Sequence, residues 1–238
     1  MRALFLCSGT GSVVEPFRRN GCEVVDVDWD NRFGAEVVVD IMTWDYKAAF
    51  PQGHWDVIWA SPDCTQYSIA RTTAKTPRNF AQADALVQKC LEIIGYFQPS
   101  VWFIENPDTG YLKSRPFMQN LPYVRVDYCM YCINTDTDAL CPYRKRTRIW
   151  TNAQWKPKMC DRSHLINGRH AMTAQRGPCK HRGISDRFAL DELHRLPAEL
   201  CGEILNVALQ RVGVMQDSKN MRKPEQLMFS AFTTGNRV

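Results

Sequence analysis

The sequence predicts an α/β protein with a doubly wound, Rossmann-like and mostly parallel sheet, followed by a small irregular region. Two observations predict this fold class. Short, almost continuously apolar runs alternate with helical patterns through the first half of the chain, as in parallel sheets covered by helices on both faces. This patterning stops between residues 153 and 187, where Arg, His, Cys and Gly are frequent.

Five apolar runs predict strands in the first half of the chain. They cover residues 2–7, 23–27, 35–39, 55–60 and 100–104. Helices are predicted over 13–20 and over 81–98, where apolar residues recur at spacings of three and four before Pro99 ends the pattern. Residues 123–131 and 147–152 predict two more strands.

The chain divides into four parts on this basis. A main domain covers residues 1–152, a small basic region 153–195, a closing helix 196–215 and a tail 216–238. Pro197 fits the first position of the closing helix. The apolar face of that helix, predicted to return to the sheet, consists of Leu200, Ile204, Val207 and Ala208.

Composition excludes several classes of protein. No apolar run approaches the roughly 18 residues that would span a bilayer, and the mean hydropathy is −0.36. The N-terminus shows no signal-peptide pattern, so we expect a cytoplasmic protein without a membrane partner. Its 10 cysteines are then expected to be thiols, metal ligands or nucleophiles instead of disulfides.

Charge is distributed unevenly along the chain. The net charge of +5 combines −5 over residues 1–139, +9 over 140–195, where 13 basic residues accompany 4 acidic ones, and +1 over 196–238. Such asymmetry is expected where one surface meets a polyanion such as nucleic acid. A solvated face with a few salt bridges is the alternative.

The segment SGTGS at 8–12 directly follows the first predicted strand. Glycines at a strand-to-helix turn let the backbone approach a ligand. Val14 stands where the dinucleotide fingerprint has its third Gly, which argues against NAD. Asp28 and Asp40 end the next two strands, where carboxylates can meet ribose hydroxyls, so an adenosine-type site is favoured.

Three later segments place reactive groups at strand ends or along a strand. PDCTQYS at 62–68 presents Cys64 as a nucleophile or as a half-buried structural thiol. IENP at 104–107 presents Glu105 as a general acid or as a carboxylate at a helix start. YRKRTRIWTN at 143–152 places Arg146 and Arg148 on one face of a strand, to bind oxyanions or to protect an edge.

In their order, these segments resemble the motifs of the cytosine-C5 DNA methyltransferase family. The resemblance covers residues 3–152 and rests on six motifs in register: FLCSGTGS, DWD at 28–30, VDI at 39–41, PDCTQYS, IENP and RTRIW. YRKRTRIWTN, GRHAMTAQRG and HRLPAELCGEI are similar to a compact, largely phage and viral branch. The main domain would then be catalytic, and 153–195 would be a very small target-recognition region.

The resemblance implies an enzyme that transfers a methyl group from S-adenosylmethionine to a cytosine flipped out of duplex DNA. Cys64 would attack C6, Glu105 would donate a proton to N3, and Asn106 would shape the pocket. Arg146 would hold the base O2, and Arg148 would support Glu105 or a phosphate.

The implied cofactor residues are Ser8, Gly9, Thr10, Gly11, Asp28, Trp29, Asp40, Ile41, Pro62 and Leu86. The implied DNA contacts are Ser68, Arg144, Lys145, Arg169 and Arg176. We expect a monomer, and whether a companion restriction nuclease exists is left open.

Some residues depart from the family pattern. Asp63 replaces a Pro before Cys64, Thr65 replaces a Gln, and Pro107 replaces a Val. An inward-pointing Asp63 would raise the pKa of the Cys64 thiol, so we expect its carboxylate to face away or to be paired.

Cysteines and histidines cluster in the basic half of the chain. Cys160, His164, Cys179 and His181 could bind a structural zinc ion that stabilises a region too small for its own core. Their spacing is not a standard one, so unligated thiols are the alternative. Cys129 and Cys132 are expected to lie in a strand and to point to nearly opposite faces.

Two other functions remain open. A tRNA cytosine methyltransferase shares the same motifs, and a catalytically silent nucleic-acid-binding module could keep the same fold. A comparison of methyl transfer to DNA and to tRNA would distinguish a DNA methyltransferase from the first alternative. A covalent adduct with 5-fluorocytosine DNA would exclude the second.

Overall fold

A computed structural model of the chain describes residues 1–69, 71, 74–131, 143–165, 167–168, 170, 172–173 and 190–229. Strands and helices alternate through its first half. The strands are β1 (Arg2–Leu6), β2 (Glu23–Asp28), β3 (Val37–Val38), β4 (Val57–Ala60), β5 (Val101–Pro107), β6 (Tyr123–Asp127), β7 (Tyr143–Arg144), β8 (Arg146–Thr151) and β9 (Met172–Thr173). The helices are α1 (Val14–Arg19), α2 (Tyr46–Ala49), α3 (Phe80–Phe97), α4 (Leu190–His194) and α5 (Ala198–Phe229).

Seven of these strands form one sheet in the order β3-β2-β1-β4-β5-β8-β6. The first five in that order are parallel, and β8 runs antiparallel to both β5 and β6. The predicted fold class, a doubly wound and mostly parallel sheet, is therefore confirmed. A separate pair of short strands, β7 and β9, is also parallel.

Helices cover both faces of the sheet, which explains why its central strands are apolar throughout. On one face, α1 and α5 pack against the sheet through a core that includes Phe17, Trp59 and Leu200. On the other face, α3 packs through a core that includes Val87 and Trp150. The apolar residues predicted for the closing helix lie in or against the first core.

Local signals set the bounds of α3. The side chain of Asn79 accepts a hydrogen bond from the amide of Gln82 at 3.1 Å, which caps the helix start. Gln98 adopts a left-handed conformation with φ +49° just before Pro99, which ends the helix. The predicted helix over 81–98 therefore differs from the observed one by one residue at each end.

Several element boundaries differ from the prediction. The strand predicted over 123–131 ends at Asp127, because the backbone turns there into a 3-10 turn over Tyr128–Tyr131. The sequence predicts Pro197 as the first residue of the closing helix, whereas α5 begins one residue later, at Ala198. That helix continues to Phe229, so it includes much of the segment predicted as a tail, and 230–238 lie outside the described residues.

This topology brings the ends of several strands, and the candidate site residues that follow them, together along one edge of the sheet. The carboxyl ends of β1, β2, β4 and β5 meet there, as they do where ligands bind in open α/β sheets. Because β8 is antiparallel to β5, its first residues lie at that same edge, with Thr147 opposite Pro107.

Candidate functional site

A cavity of about 360 Å³ opens at this edge of the sheet. Its volume is in the range typical of sites for small organic ligands. The turn after β1, the ends of β2, β4 and β5, and the segment from α4 to α5 all contribute to its lining. The cavity therefore brings together residues as far apart in the chain as Cys7 and Leu196.

The glycine turn after β1 forms one wall of the cavity. Gly9 and Gly11 have φ values of +52° and +67°, a left-handed conformation that favours glycine. The amide of Gly9 donates a hydrogen bond to Oδ2 of Asp28 at 2.8 Å, and the amide of Asp30 donates to Oδ1 at 2.9 Å. Asp28 thus holds the turn against the end of β2.

An aromatic face and an apolar floor lie beside this turn. The side chain of Trp29 is 73% exposed although it borders the cavity, and Ile41 is buried there. Together with Asp28, these residues match the chemistry of an adenosine moiety, which offers a flat base and ribose hydroxyls. Nine of the ten implied cofactor residues line the cavity, and they are Ser8, Gly9, Thr10, Asp28, Trp29, Asp40, Ile41, Pro62 and Leu86. Gly11 belongs to the same turn but does not line the cavity.

Cys64 lies in a tight turn that follows β4. Its carbonyl oxygen accepts hydrogen bonds from the amides of Tyr67 at 3.0 Å and Ser68 at 2.9 Å. Burial, followed by the negative charge of Glu105, raises the pKa of the Cys64 thiol to about 11. The thiol therefore faces the cavity in its protonated form at neutral pH.

Asp63, beside Cys64, is exposed and paired, as the sequence predicts. Its Oδ1 accepts hydrogen bonds from the amide of Thr65 at 3.0 Å and from the Thr65 hydroxyl at 2.6 Å. The Asp63 carboxylate consequently stabilises the turn and makes a smaller contribution to the Cys64 pKa than burial does.

Glu105 faces the cavity from the end of β5. Burial raises the pKa of its carboxyl, which favours the protonated form. Its Oε1 is buried and has no hydrogen-bond partner among the described residues, so a ligand with a nitrogen or oxygen acceptor could pair with it. The neighbouring Asn106 donates from Nδ2 to the carbonyl oxygen of Pro62 at 3.0 Å, which ties β5 to the Cys64 turn.

Lys145 contributes a positive charge to the same cavity. Its Nζ donates to the carbonyl oxygen of Leu193 at 2.7 Å and lies 4.8 Å from the centre of the Tyr128 ring. This charge lowers the pKa values of both Cys64 and Glu105, although burial has the larger effect on each. The sequence suggested only a DNA contact for Lys145, because no local pattern shows that it reaches the cavity.

Each of the two arginines of β8 is engaged in an ion pair. Arg146 pairs with Asp127, and Arg148 donates from Nε to Oδ1 of Asp108 at 2.7 Å. Arg148 lies opposite Asn106 in the sheet, whereas Glu105 lies opposite Ile149. Since neighbouring strand residues point to opposite faces, Arg148 and Glu105 project from different faces. The arginines do share one face, as predicted, but the cation near Glu105 is Lys145.

The curated relative from Frog virus 3 (isolate Goorha), "Probable DNA (cytosine-5)-methyltransferase", is 31% identical to the chain over 229 residues. The alignment covers 87% of this chain and all of the relative. The chain belongs to the DNA (cytosine-5)-methyltransferase family. Membership confirms the resemblance seen in the motifs. No protein-family model matches the chain.

Two solved structures are similar to this family member at low sequence identity. One, from E.coli, is described as a "putative DNA modification methyltransferase encoded within prophage", at 16% identity and a TM-score of 0.47. It matches 68% of this chain and 52% of its own. The other is a mutant of Spodoptera frugiperda DNMT2, at 18% identity and a TM-score of 0.39, matching 67% of this chain and 53% of its own. The chain thus spans about half the length of these two proteins.

The implied DNA contacts of this family member lie at different places. Ser68 lies in the Cys64 turn, and Arg144 is exposed near Asp127, with 3.7 Å between Nε and Oδ1. Lys145 lies in the cavity. Arg169 and Arg176 lie outside the described residues.

Within the part of the chain that is described, no helix has the length and apolar character needed to cross a membrane.

The predicted zinc ligands are brought together only in part. Cys160 and His164 are neighbours, but the other two residues beside them are Cys129 and His170. Cys179 and His181, like Cys132, lie outside the described residues. Cys129 lies in the 3-10 turn after β6 instead of in a strand, so the expected strand geometry was wrong for this residue.

Sequence patterns did not indicate the contribution of α4 and of the segment that joins it to α5. Asp191, His194 and Leu196 line the cavity, and the amide of Leu196 donates to the hydroxyl of Ser12 at 3.2 Å. This contact spans 184 positions. The only available signal was the apolar face of α5. That face predicts that the helix packs against the sheet, which would bring the residues just before it close to the turn after β1.

Proposed function

We propose that this chain is an S-adenosylmethionine-dependent DNA (cytosine-5-)-methyltransferase that acts through a covalent bond between Cys64 and the target cytosine. The carrying observation is that the Cys64 thiol and the Glu105 carboxyl line the same cavity as the glycine turn, Asp28 and Trp29. A nucleophile, an acid and an adenosine-type site are thereby close enough to act on one base. Family membership supports cytosine in DNA as the substrate.

The cofactor would be held by the residues around the glycine turn. Trp29 would stack on the adenine, Ile41 would form the floor beneath it, and Asp28 and Asp40 would meet the ribose side. When bound, S-adenosylmethionine supplies an electrophilic methyl group. The remaining chemistry falls to the side chains of the chain.

Cys64 and Glu105 make cytosine reactive in concert. Attack of the Cys64 thiolate on C6, with proton donation from Glu105 to N3, leaves an enamine whose C5 is nucleophilic. Transfer of the methyl group to C5 would release S-adenosylhomocysteine. Loss of the C5 proton to solvent then expels Cys64 as the thiolate, and N3 returns its proton to Glu105. Asn106 keeps β5 and the Cys64 turn in register through its hydrogen bond to Pro62.

Lys145 serves the nucleophile in this proposal. Its positive charge opposes the effect of burial on Cys64 and so increases the fraction of thiolate. It also opposes protonation of Glu105, but burial is the larger influence there, so the acid form persists. The guanidinium groups of Arg146 and Arg148 instead anchor β8 through Asp127 and Asp108.

The target base must leave the helix to reach Cys64, since C6 is inaccessible within stacked duplex DNA. Unstacking costs a few kcal/mol, which contacts from the basic segment would offset. Duplex DNA is thus the proposed partner, and 153–195 the proposed target-recognition region. The monomeric state and cytoplasmic location stay predictions.

Transfer of labelled methyl groups from S-adenosylmethionine to duplex DNA and to tRNA tests the activity. We expect DNA to be labelled, and bisulfite sequencing to locate the methyl groups at cytosine. Cys64→Ala should abolish labelling while S-adenosylmethionine still binds, because Cys64 contacts the base. Labelling of tRNA alone would identify the RNA enzyme, and normal turnover by Cys64→Ala would reject the mechanism.

A further inference from the structure

Four side chains outside the proposed active site bring soft metal-ligand atoms together. They are Cys129, Cys160, His164 and His170, here termed the Cys2His2 cluster. Each offers one ligand atom, and these atoms all lie within 4.8 Å of one another. Sγ of Cys160 lies 3.3 Å from Nε2 of His170 and 4.0 Å from Nε2 of His164.

This arrangement matches the size and chemistry of a structural zinc site. With Zn–S bonds of about 2.3 Å and Zn–N bonds of about 2.0 Å, tetrahedral ligand atoms lie roughly 3.3–3.8 Å apart. Small shifts of the four side chains reach those separations. Two thiolates and two imidazoles form one of the common structural zinc sets, whereas hard cations prefer oxygen ligands. We propose that the Cys2His2 cluster binds one zinc ion.

The backbone around the cluster already holds two of its ligands in place. Cys129 lies in the turn directly after β6, and Cys160 donates its amide hydrogen to Oδ2 of Asp127 at 3.0 Å. The amide of Asp127 donates to the carbonyl oxygen of Lys158 at 3.3 Å. The amide of Lys158 donates to the Tyr131 hydroxyl at 2.9 Å. These bonds fasten 158–160 to the end of β6 before any metal binds.

One ring nitrogen of the cluster lacks a polar partner. Nδ1 of His164 is shielded from solvent and makes no hydrogen bond to the residues the structure describes. The rings of His164 and His170 lie 5.1 Å apart between centroids and are inclined at 62°, so both can turn a nitrogen towards a common point. A bound cation would satisfy this pair of rings and the two thiolates at once.

The site would link the catalytic sheet to the basic region. Cys129 lies in the turn that directly follows β6 of the sheet, whereas the other three ligands lie within 160–170, in the segment proposed to recognise DNA. A short irregular segment cannot bury enough apolar surface for a core of its own, and metal binding can replace one. The ion would therefore fix the position of the recognition segment relative to the cavity.

Metal analysis of the purified full-length chain tests the site, whether or not the chain methylates DNA. We expect about one zinc per chain in wild-type protein purified without added metal. Cys129→Ser and His170→Gln should each lose the metal, whereas the control Cys22→Ser should retain it. Retention by Cys179→Ser would support the cluster, and loss there would favour the set with Cys179 and His181. A wild-type content near zero, or an unchanged content in Cys129→Ser, would overturn the proposal.

A measurement on wild-type protein covers the case in which these variants fail to fold. Thiols are alkylated in the presence and absence of a zinc chelator and read out peptide by peptide by mass spectrometry. We expect the chelator to accelerate alkylation of Cys160 and Cys129 by at least tenfold and to leave Cys179 unchanged. Protection of Cys179 by the metal, or no effect at Cys160, would contradict the site.

Discussion

Arg146 donates two hydrogen bonds to Asp127 across the pairing of β6 with β8, from Nε at 2.9 Å and from Nη2 at 2.7 Å. The Asp127 side chain is fully buried, and Arg144 lies at 3.7 Å from it. Lys145 stands between these two arginines in the chain. Asp127 therefore fixes the backbone on both sides of the lysine that reaches the cavity.

Replacing Asp127 by Asn should destabilise the fold. The change would leave Arg146 without its carboxylate partner, and breaking a buried ion pair costs about 3–5 kcal/mol. We expect a loss of unfolding free energy in the lower part of this range, because Arg146 is 25% exposed. Urea denaturation measures it. Glu15→Gln, which breaks the exposed pair with Arg19, should cost less than about 1 kcal/mol. Equal losses in the two variants would contradict the assigned role of Asp127.

Lys145→Met should slow alkylation of Cys64. Without the positive charge the pKa of the thiol rises further, so less thiolate is present at a given pH. We expect a rate lower by about threefold to tenfold at pH 8, read from the Cys64 peptide by mass spectrometry. Lys47→Met, which removes a charge outside the cavity, should leave the rate unchanged. A faster reaction in Lys145→Met would reverse the inferred sign.

The pH dependence of Cys64 alkylation follows from its pKa of about 11. At pH 8 only about one thiol in a thousand would be ionised. The rate should therefore rise about tenfold per pH unit from pH 7 to 10 without reaching a plateau. A small free thiol, whose pKa is about 8.5, should level off within that range. A plateau for Cys64 near pH 9 would show that burial does not control the thiol.

Methyl transfer should stop rising with pH once Glu105 ionises. At lower pH the rate rises as Cys64 ionises, and at higher pH the further gain in thiolate is offset by loss of the proton that burial helps Glu105 to keep. Glu105→Gln cannot donate its proton in the same way, so it should lower kcat by at least about a hundredfold and extend the rise to pH 10. Steady-state kinetics over pH 5–10 measures both effects. A profile that still levels off in this variant would assign the levelling to another group.

Trp29→Ala should separate cofactor binding from stability. The indole is 73% exposed, so its removal should change the melting temperature little. Stacking of a base on an aromatic ring is worth about 1–3 kcal/mol, so affinity for S-adenosylmethionine should fall by roughly fivefold to a hundredfold. Calorimetric titration measures this, with Leu209→Ala as an exposed apolar control. Unaltered affinity in Trp29→Ala would exclude stacking.

Local patterns predicted most of the fold because they depend on neighbouring residues. The apolar spacing and the stop at Pro99 located α3 to within one residue. The order of the glycine turn, Cys64 and Glu105 likewise indicated one site, since parallel strands place their carboxyl ends together.

Contacts between distant residues were harder to predict. Whether Arg148 or Lys145 accompanies Glu105 depends on the pairing register of β5 with β8, which no local signal reveals. The Cys2His2 cluster includes Cys129 and His170 because the turn after β6 lies against a segment some thirty residues further along the chain. The spacing of Cys and His residues alone favoured a different set.

The alternation of side chains along 145–149 restricts which length changes this methyltransferase could tolerate. Lys145, Thr147 and Ile149 share the face of Glu105, whereas Arg146 and Arg148 hold the ion pairs on the other face. Inserting or deleting one residue here would exchange the two faces, so a single such change would turn Lys145 away from the cavity and break both ion pairs together. Length variation among relatives should therefore fall before residue 143 or after 151, and circular permutation through this stretch should fail.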